Sequence, residues 1–216
     1  GGAKLDLDLY RPADAKANEL RVKIYRPGEP VSLSDCLPVL EKMGLKVMVE
    51  RPFHVEPGTG AGCWIHDFGL LDPLGRPIEL ERVKAKFEDA FAQVWDGAAE
   101  SDGFNRLVLW AGLTWREAAC LRAYAKYLRQ AGFAFSQAYM EDTLAENAPI
   151  ARLLMRLFAA RFDPAGGARG EEEQAKAAAA EIEAALERVA SLDQDRILRR
   201  FLNLVRATAR TNFYQA

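Results

Sequence analysis

In "LDLDLY", residues 5 to 10, Leu5, Leu7 and Leu9 alternate with Asp6, Asp8 and Tyr10, the period of two that a half-buried strand requires. "ELRVKIY" repeats the pattern, with Leu20, Val22 and Ile24 inward and Arg21, Lys23 and Tyr25 outward. After the break "RPGEPV" the period lengthens. In "SLSDCLPVLEKMG" Ser34 stands as a helix cap, Leu37, Leu40 and Met43 form an apolar stripe, and Gly44 supplies the stop. Pro38 then falls late in the first turn, where it removes one donor. "LKVMVE" places Leu45, Val47 and Val49 on one face of a further strand. "EPGTGAG" is a turn region and "CWIHDFGLL" another strand, followed by the breaker "DPLGRP". From Glu79 to Trp95 the positions Leu80, Val83, Phe87, Ala90, Phe91 and Val94 follow helical spacing, with Glu81, Lys84 and Glu88 opposite.

The order strand, helix, strand, strand, helix predicts a small antiparallel sheet with its helices on one face, an α+β domain of the ferredoxin-like kind. Such a sheet needs a fourth strand. "GFNRLVLWAGLT" is a weak candidate, and "LDLDLY" fits the same edge. Beyond residue 104 the strand pattern stops. "TWREAACLRAYAKYLRQAG" reads as a helix with Thr114 and Glu117 in a capping box and Gly132 at its end. "SQAYMEDTLAENAPIARLLMRLFAARFDP" gives one or two helices, with Pro149 one turn into the second part. "PAGGARG" reads as a mobile loop, and "EEEQAKAAAAEIEAALERVA" and "QDRILRRFLNLVRATARTN" as two more helices, the last with Ile197, Phe201 and Leu204 on one stripe. The chain therefore divides into a leading strand or linker (1–19), an α+β domain (20–103) and an all-helical segment (104–216).

Composition narrows the function classes. The 216 residues are 50% apolar and 28% charged, which suits a folded chain with a real core. A net charge of −2 supplies no pull toward nucleic acid or an anionic membrane, and no apolar run approaches bilayer length. Three cysteines without close pairing read as reduced thiols in a cytoplasmic protein, with Cys120 as a buried hydrophobe on a helix.

The stretch "GCWIHDFGLL" concentrates Cys63, His66 and Asp67, with His54 nine positions before Cys63. Strand alternation separates them: Cys63, Ile65 and Asp67 share one face, and Trp64, His66 and Phe68 the other. This spacing makes neither a Cys–His dyad nor a pair of ligands to one metal. His66 is expected to pack under a helix or to border a ligand cleft. "GTGAG" fails as a dinucleotide loop, because the third glycine of G-x-G-x-x-G falls on Cys63 and a strand follows in place of a helix. No nucleophile elbow or phosphate loop is present, so the residues alone mark no catalytic, cofactor or metal site.

Three separated blocks nonetheless carry a resemblance. "LRVKIYRPGEPVSLSDCLPVLEKMGLKVMVERPF" with "WIHDFGLL", then "FNRLVLWAGLTWREAACLRAYAKYLRQAGFAFSQAY", then "RTNFYQ", resemble the large NAD-specific glutamate dehydrogenases of bacteria, from about Leu20 to Gln215. The resemblance implies an ACT-like module and the helical region after it, upstream of the catalytic domain. It implies NAD as cofactor of the parent enzyme and none held by this segment. The rest of the parent chain and further copies of it are implied as partners, with an amino acid as effector. No catalytic residue carries over. An effector carboxylate is expected at the start of the first helix of the α+β domain, at Ser32, Ser34 and Asp35, where backbone donors gather.

Overall fold

The computed structural model describes residues 5–56, 58, 62–165 and 168–215. Residues 59–61 of "GTGAG" and residues 166–167 of "PAGGARG" lie outside the described residues. The chain forms two compact units, Gly1–Trp115 and Arg116–Ala216.

The first unit is an α+β fold. Strands β1 (Asp6–Tyr10), β2 (Glu19–Pro27), β3 (Lys46–Val55) and β4 (Cys63–Leu71) form one antiparallel sheet in the order β1-β2-β4-β3. The fourth strand is thus "LDLDLY", which takes the edge beside β2. "GFNRLVLWAGLT" instead forms a 3-10 turn (Gly103–Asn105) and helix α3 (Arg106–Trp110). Phe104, Leu107, Val108 and Leu109 are all buried there, which suits a helical turn and not a strand of alternating exposure.

Leu9, Val22, Phe68 and Glu50 stand in register across the four strands and mark the face covered by helices α1 (Leu33–Lys42) and α2 (Leu80–Trp95). The core between sheet and helices contains Leu20, Val22, Ile24, Phe68, Leu40, Met43, Phe87 and Phe91, each at most 1% exposed. Burying side chains of this size stabilises the fold by roughly 1.5–3 kcal/mol each.

Two local expectations are corrected. Helix α1 starts two residues earlier than the Ser34 cap implies: Ser32 occupies the cap position, and its side chain makes no capping bond. Pro38 consequently sits in the helix interior, and Cys36 and Val39 join Leu40 and Met43 in the core while Leu37 is only partly buried. In β3 a bulge between Val47 and Val49 breaks the alternation. Val47 pairs with Leu70 on the helix side, whereas Val49 pairs with Gly69 on the open side and is 41% exposed. The Gly44 stop is as expected. It lies at φ +92°, with Gly44 N–H donating to Glu41 O and Leu45 N–H to Leu40 O, the Schellman pattern.

The second unit contains α4 (Trp115–Gln130), α5 (Gln137–Glu146), α6 (Ala148–Phe162), α7 (Ala168–Leu186) and α8 (Leu192–Ala207). The segment from Ser136 to Pro164 makes two helices because Asn147 leaves the helical conformation, donating its Nδ2 back to Thr143 O, and Pro149 then suits a first turn. Ser136 and Ser191 cap α5 and α8 by accepting from Tyr139 N and Gln194 N. Helix α6 packs against α5, α7 and α8 and buries Ile150, Ala151, Leu154, Met155, Leu157 and Phe158. On α8, Ile197 and Phe201 are buried as the stripe predicts, joined by Leu198, Leu202 and Val205 in place of the partly exposed Leu204.

Candidate functional site

The approach to α1 is built on His66. Gly28, at φ +83°, turns the chain out of β2 and donates its N–H to Gly62 O. Three residues later Val31 N–H donates to His66 Nε2 at 3.0 Å in a buried bond. An imidazole nitrogen that accepts carries no proton, so the ring proton of neutral His66 sits on Nδ1. That nitrogen donates to Glu50 Oε1 at 2.8 Å. His66 is 4% exposed and stacks within a ladder of His54, Trp64, His66 and Phe68 on the helix side of the sheet. The histidine that the sequence singled out therefore ties the loop before α1 to two strands. Glu50 escaped the sequence reading because only the bulge turns it to this face.

The other members of the window do not join it. Asp67 points to the open side of the sheet, where Arg21 Nε donates to Oδ1 at 2.9 Å and Tyr10 OH to Oδ2 at 3.1 Å. Lys23 stands over the Tyr10 ring. Partial burial, reinforced by Asp67, pushes the Tyr10 hydroxyl pKa up, and the bond to Asp67 raises that of Arg21. Cys63 is half-buried on the open side, and burial pushes the Cys36 and Cys120 thiols up to about 12, which keeps both protonated and unreactive. Among the described residues no three His, Cys, Asp or Glu side chains converge as a metal site, and no helix is long and apolar enough to cross a membrane.

The expected effector residues stand together at the start of α1. Ser32 and Ser34 share a hydrogen bond between hydroxyls at 2.8 Å, and Asp35 follows in the same exposed turn. Asp35 and Cys36 N–H both donate to Ser32 O, while the amides of Leu33 and Ser34 have no protein acceptor among the described residues. The turn offers two donors beside one carboxylate. A cavity of about 370 Å³ lies elsewhere in this unit, beside Gly69 and the β1–β2 loop, with Asp14, Glu19, Arg21 and Met48 in its wall.

In the helical unit the chain end is anchored. Arg161, on α6, donates to Val205 O and Thr208 O at the end of α8, and Tyr124 OH on α4 pairs with Thr208 Oγ1 at 2.7 Å. Arg116 donates to Phe213 O and lies over its ring, and Phe158 packs edge-on against Phe213 with centroids 5.3 Å apart. The segment "RTNFYQ" is thus fixed to α4 and α6.

Three family models match the chain. Residues 4–83 match the glutamate dehydrogenase ACT3 domain, residues 99–164 the glutamate dehydrogenase helical motif 3, and residues 181–216 the bacterial NAD-glutamate dehydrogenase catalytic domain. The chain is 42% identical over 214 residues to the NAD-specific glutamate dehydrogenase of Halomonas elongata, covering 99% of this chain and 13% of that protein. It is 42% identical over 213 residues to the enzyme of the same name from Pseudomonas aeruginosa, covering 98% of this chain and 13% of that one. With the Mycobacterium tuberculosis enzyme the identity is 45% over 193 residues, 87% of this chain and 12% of the relative. The chain spans about an eighth of the length of these curated relatives.

Proposed function

We propose a function from one premise: the chain belongs to the family of NAD-specific glutamate dehydrogenases. On this reading the residues before 181 are a non-catalytic regulatory and assembly region of a longer cytoplasmic enzyme, and residues 181–216 belong to its catalytic domain. The parent chain oxidises L-glutamate to 2-oxoglutarate and ammonia with NAD, and its other domains hold the cofactor and the reacting groups. The α+β unit senses or assembles, and the helical unit carries its state toward the catalytic domain.

The observation that supports this most is the anchoring of the last described residues. Helix α8 and "RTNFYQ" match the catalytic-domain model, and Arg161, Tyr124, Arg116 and Phe158 hold them to helices that match helical motif 3. A packed connection passes on a displacement that a flexible linker would absorb.

For sensing, the free amides of Leu33 and Ser34 beside Ser32, Ser34 and Asp35 favour an amino-acid effector whose carboxylate meets the start of α1. For assembly, Val49, Phe53 and Val55 are each at least 41% exposed on the open side of the sheet, which favours burial of that face between copies. The purified 216-residue chain with L-glutamate and NAD is expected to form no NADH; measurable turnover would end this reading. Sedimentation over a range of concentrations tests assembly, and a strictly monomeric chain at the highest concentration leaves the open face without that role.

A further inference from the structure

We propose that His66 is a pH-sensitive latch on the approach to α1: protonation at Nε2 unfastens Val31 and loosens the loop between Gly28 and the helix, while the sheet stays intact. Any effect on the parent enzyme rests on the function proposed above; the latch stands by itself.

Only a neutral histidine can make the bond that closes it. Val31 N–H donates to Nε2 at 3.0 Å, and a backbone amide cannot accept in return. A proton taken from solvent at Nε2 sets two donors against each other, and the bond gives way to repulsion. On the other side of the ring the same proton has the opposite effect. Nδ1 keeps its hydrogen 2.8 Å from Glu50 Oε1, and the pair becomes a charge-assisted bond. Glu50 therefore holds the imidazolium in the sheet, between Trp64 and Phe68, and the loop is what moves.

The loop has little else to hold it. Gly28 turns at φ +83°, with its N–H on Gly62 O at 2.8 Å. At the far end Ser32 caps α1 without a side-chain bond. Between them Arg26 Nη1 donates to Pro30 O at 3.1 Å and lies 3.7 Å from Glu29, contacts that involve no histidine. The Val31 side chain, 4% exposed, stays in the core, so the response is a local opening and not unfolding.

The surrounding groups leave His66 as the one that responds. β3 brings Glu50 and, beyond Trp64, His54, whose Nδ1 is 3.6 Å from Glu56. β2 brings Arg26, opposite Trp64. α1 brings the exposed Asp35 and the Cys36 thiol, which burial pushes up to about 12 and keeps neutral. The residues that α2 buries in the core, Val83, Phe87, Ala90 and Phe91, carry no charge. His54 and His66 are the only histidines of the chain, so replacing one isolates the other.

The test is heteronuclear NMR of the 216-residue chain between about pH 8 and pH 5, the span in which histidines change charge. Ring signals follow the two histidines. Hydrogen exchange gives the protection of the Val31 amide relative to Met43, whose amide donates to Val39 O at the other end of α1. Relative protection of Val31 is expected to fall about 5- to 10-fold as His66 gains its proton. His54→Gln should leave that fall where it was. Glu50→Gln, which removes the charge that favours the imidazolium, should move it to lower pH. Both variants keep the His66 ring, so the test does not depend on the stability of a His66 replacement. A His66 ring that titrates without a relative fall at Val31 overturns the latch, as does a fall abolished by His54→Gln. A ring that stays neutral until the unit unfolds overturns it as well.

Discussion

Replacing His66 with phenylalanine tests the structural account of the window 62 to 71 most directly. The somewhat larger phenyl ring takes the same place between Trp64 and Phe68, so no cavity is left. Two polar groups lose their partner. Val31 N–H, buried and bonded only to His66 Nε2, is left without an acceptor, which costs about 1–3 kcal/mol. Glu50, whose side chain is 18% exposed, loses its donor at 2.8 Å but regains water, at a cost of about 1 kcal/mol. The sum is about 2–4 kcal/mol. Trp64, Trp95 and Trp110 lie in the first unit and Trp115 at its boundary with α4, so urea unfolding followed by tryptophan fluorescence reports mainly on that unit. A double-mutant cycle with Glu50→Gln should give a coupling of about 0.5–3 kcal/mol. A loss below roughly 0.5 kcal/mol in His66→Phe, or a Val31 amide whose hydrogen exchange is no faster than before, would refute the role assigned to this histidine.

Alkaline titration gives a second expectation. Cys36 and Cys120 hold their protons up to about 12 in the fold against an ordinary value of 9.0, so between those values the folded state binds more protons than the unfolded one. Stability is therefore unaffected below pH 9 and falls above it, by roughly 1 kcal/mol per thiol at pH 10, and Cys36→Ala with Cys120→Ala should flatten the denaturation midpoint over that range. Gly44→Ala and Gly28→Ala share a left-handed backbone but not their surroundings: at Gly44 a Cβ lies 3.0 Å from Trp110 Nε1, and at Gly28 nothing lies within 4 Å. Both should lose about 1–2 kcal/mol for the conformation, and Gly44→Ala more, as read from urea midpoints. Arg161→Met removes two bonds to carbonyls at the end of α8; amide exchange across residues 205–215 should accelerate, and unchanged exchange would show that the aromatic contacts of Phe158 alone hold the segment.

Periodicity in this sequence was enough to set the α+β class, the direction of each face in β2 and β4, and the helical second half. In "LDLDLY" and "ELRVKIY" the apolar residues recur every second position, and a strand so patterned has one way to bury them. The separation of Cys63 and His66 onto opposite faces came from that same rule. Tertiary structure decided the rest. Either of two segments was able to close the sheet by local pattern; "LDLDLY" won because it pairs along β2 in full register, whereas the competing segment buries consecutive residues as a helix does. The bulge at β3 carries no distinct local signal, since an extra residue is fixed by the pairing with β4 and not by the strand's own composition. It turns Val49 outward and Glu50 inward, and so creates the partner of His66. The cavity over Gly69 has the same origin. Arg21, Glu19 and Asp14 lie close in sequence, but Gly69 and the bulge-borne Met48 reach them only through strand pairing, which links residues that no local periodicity connects.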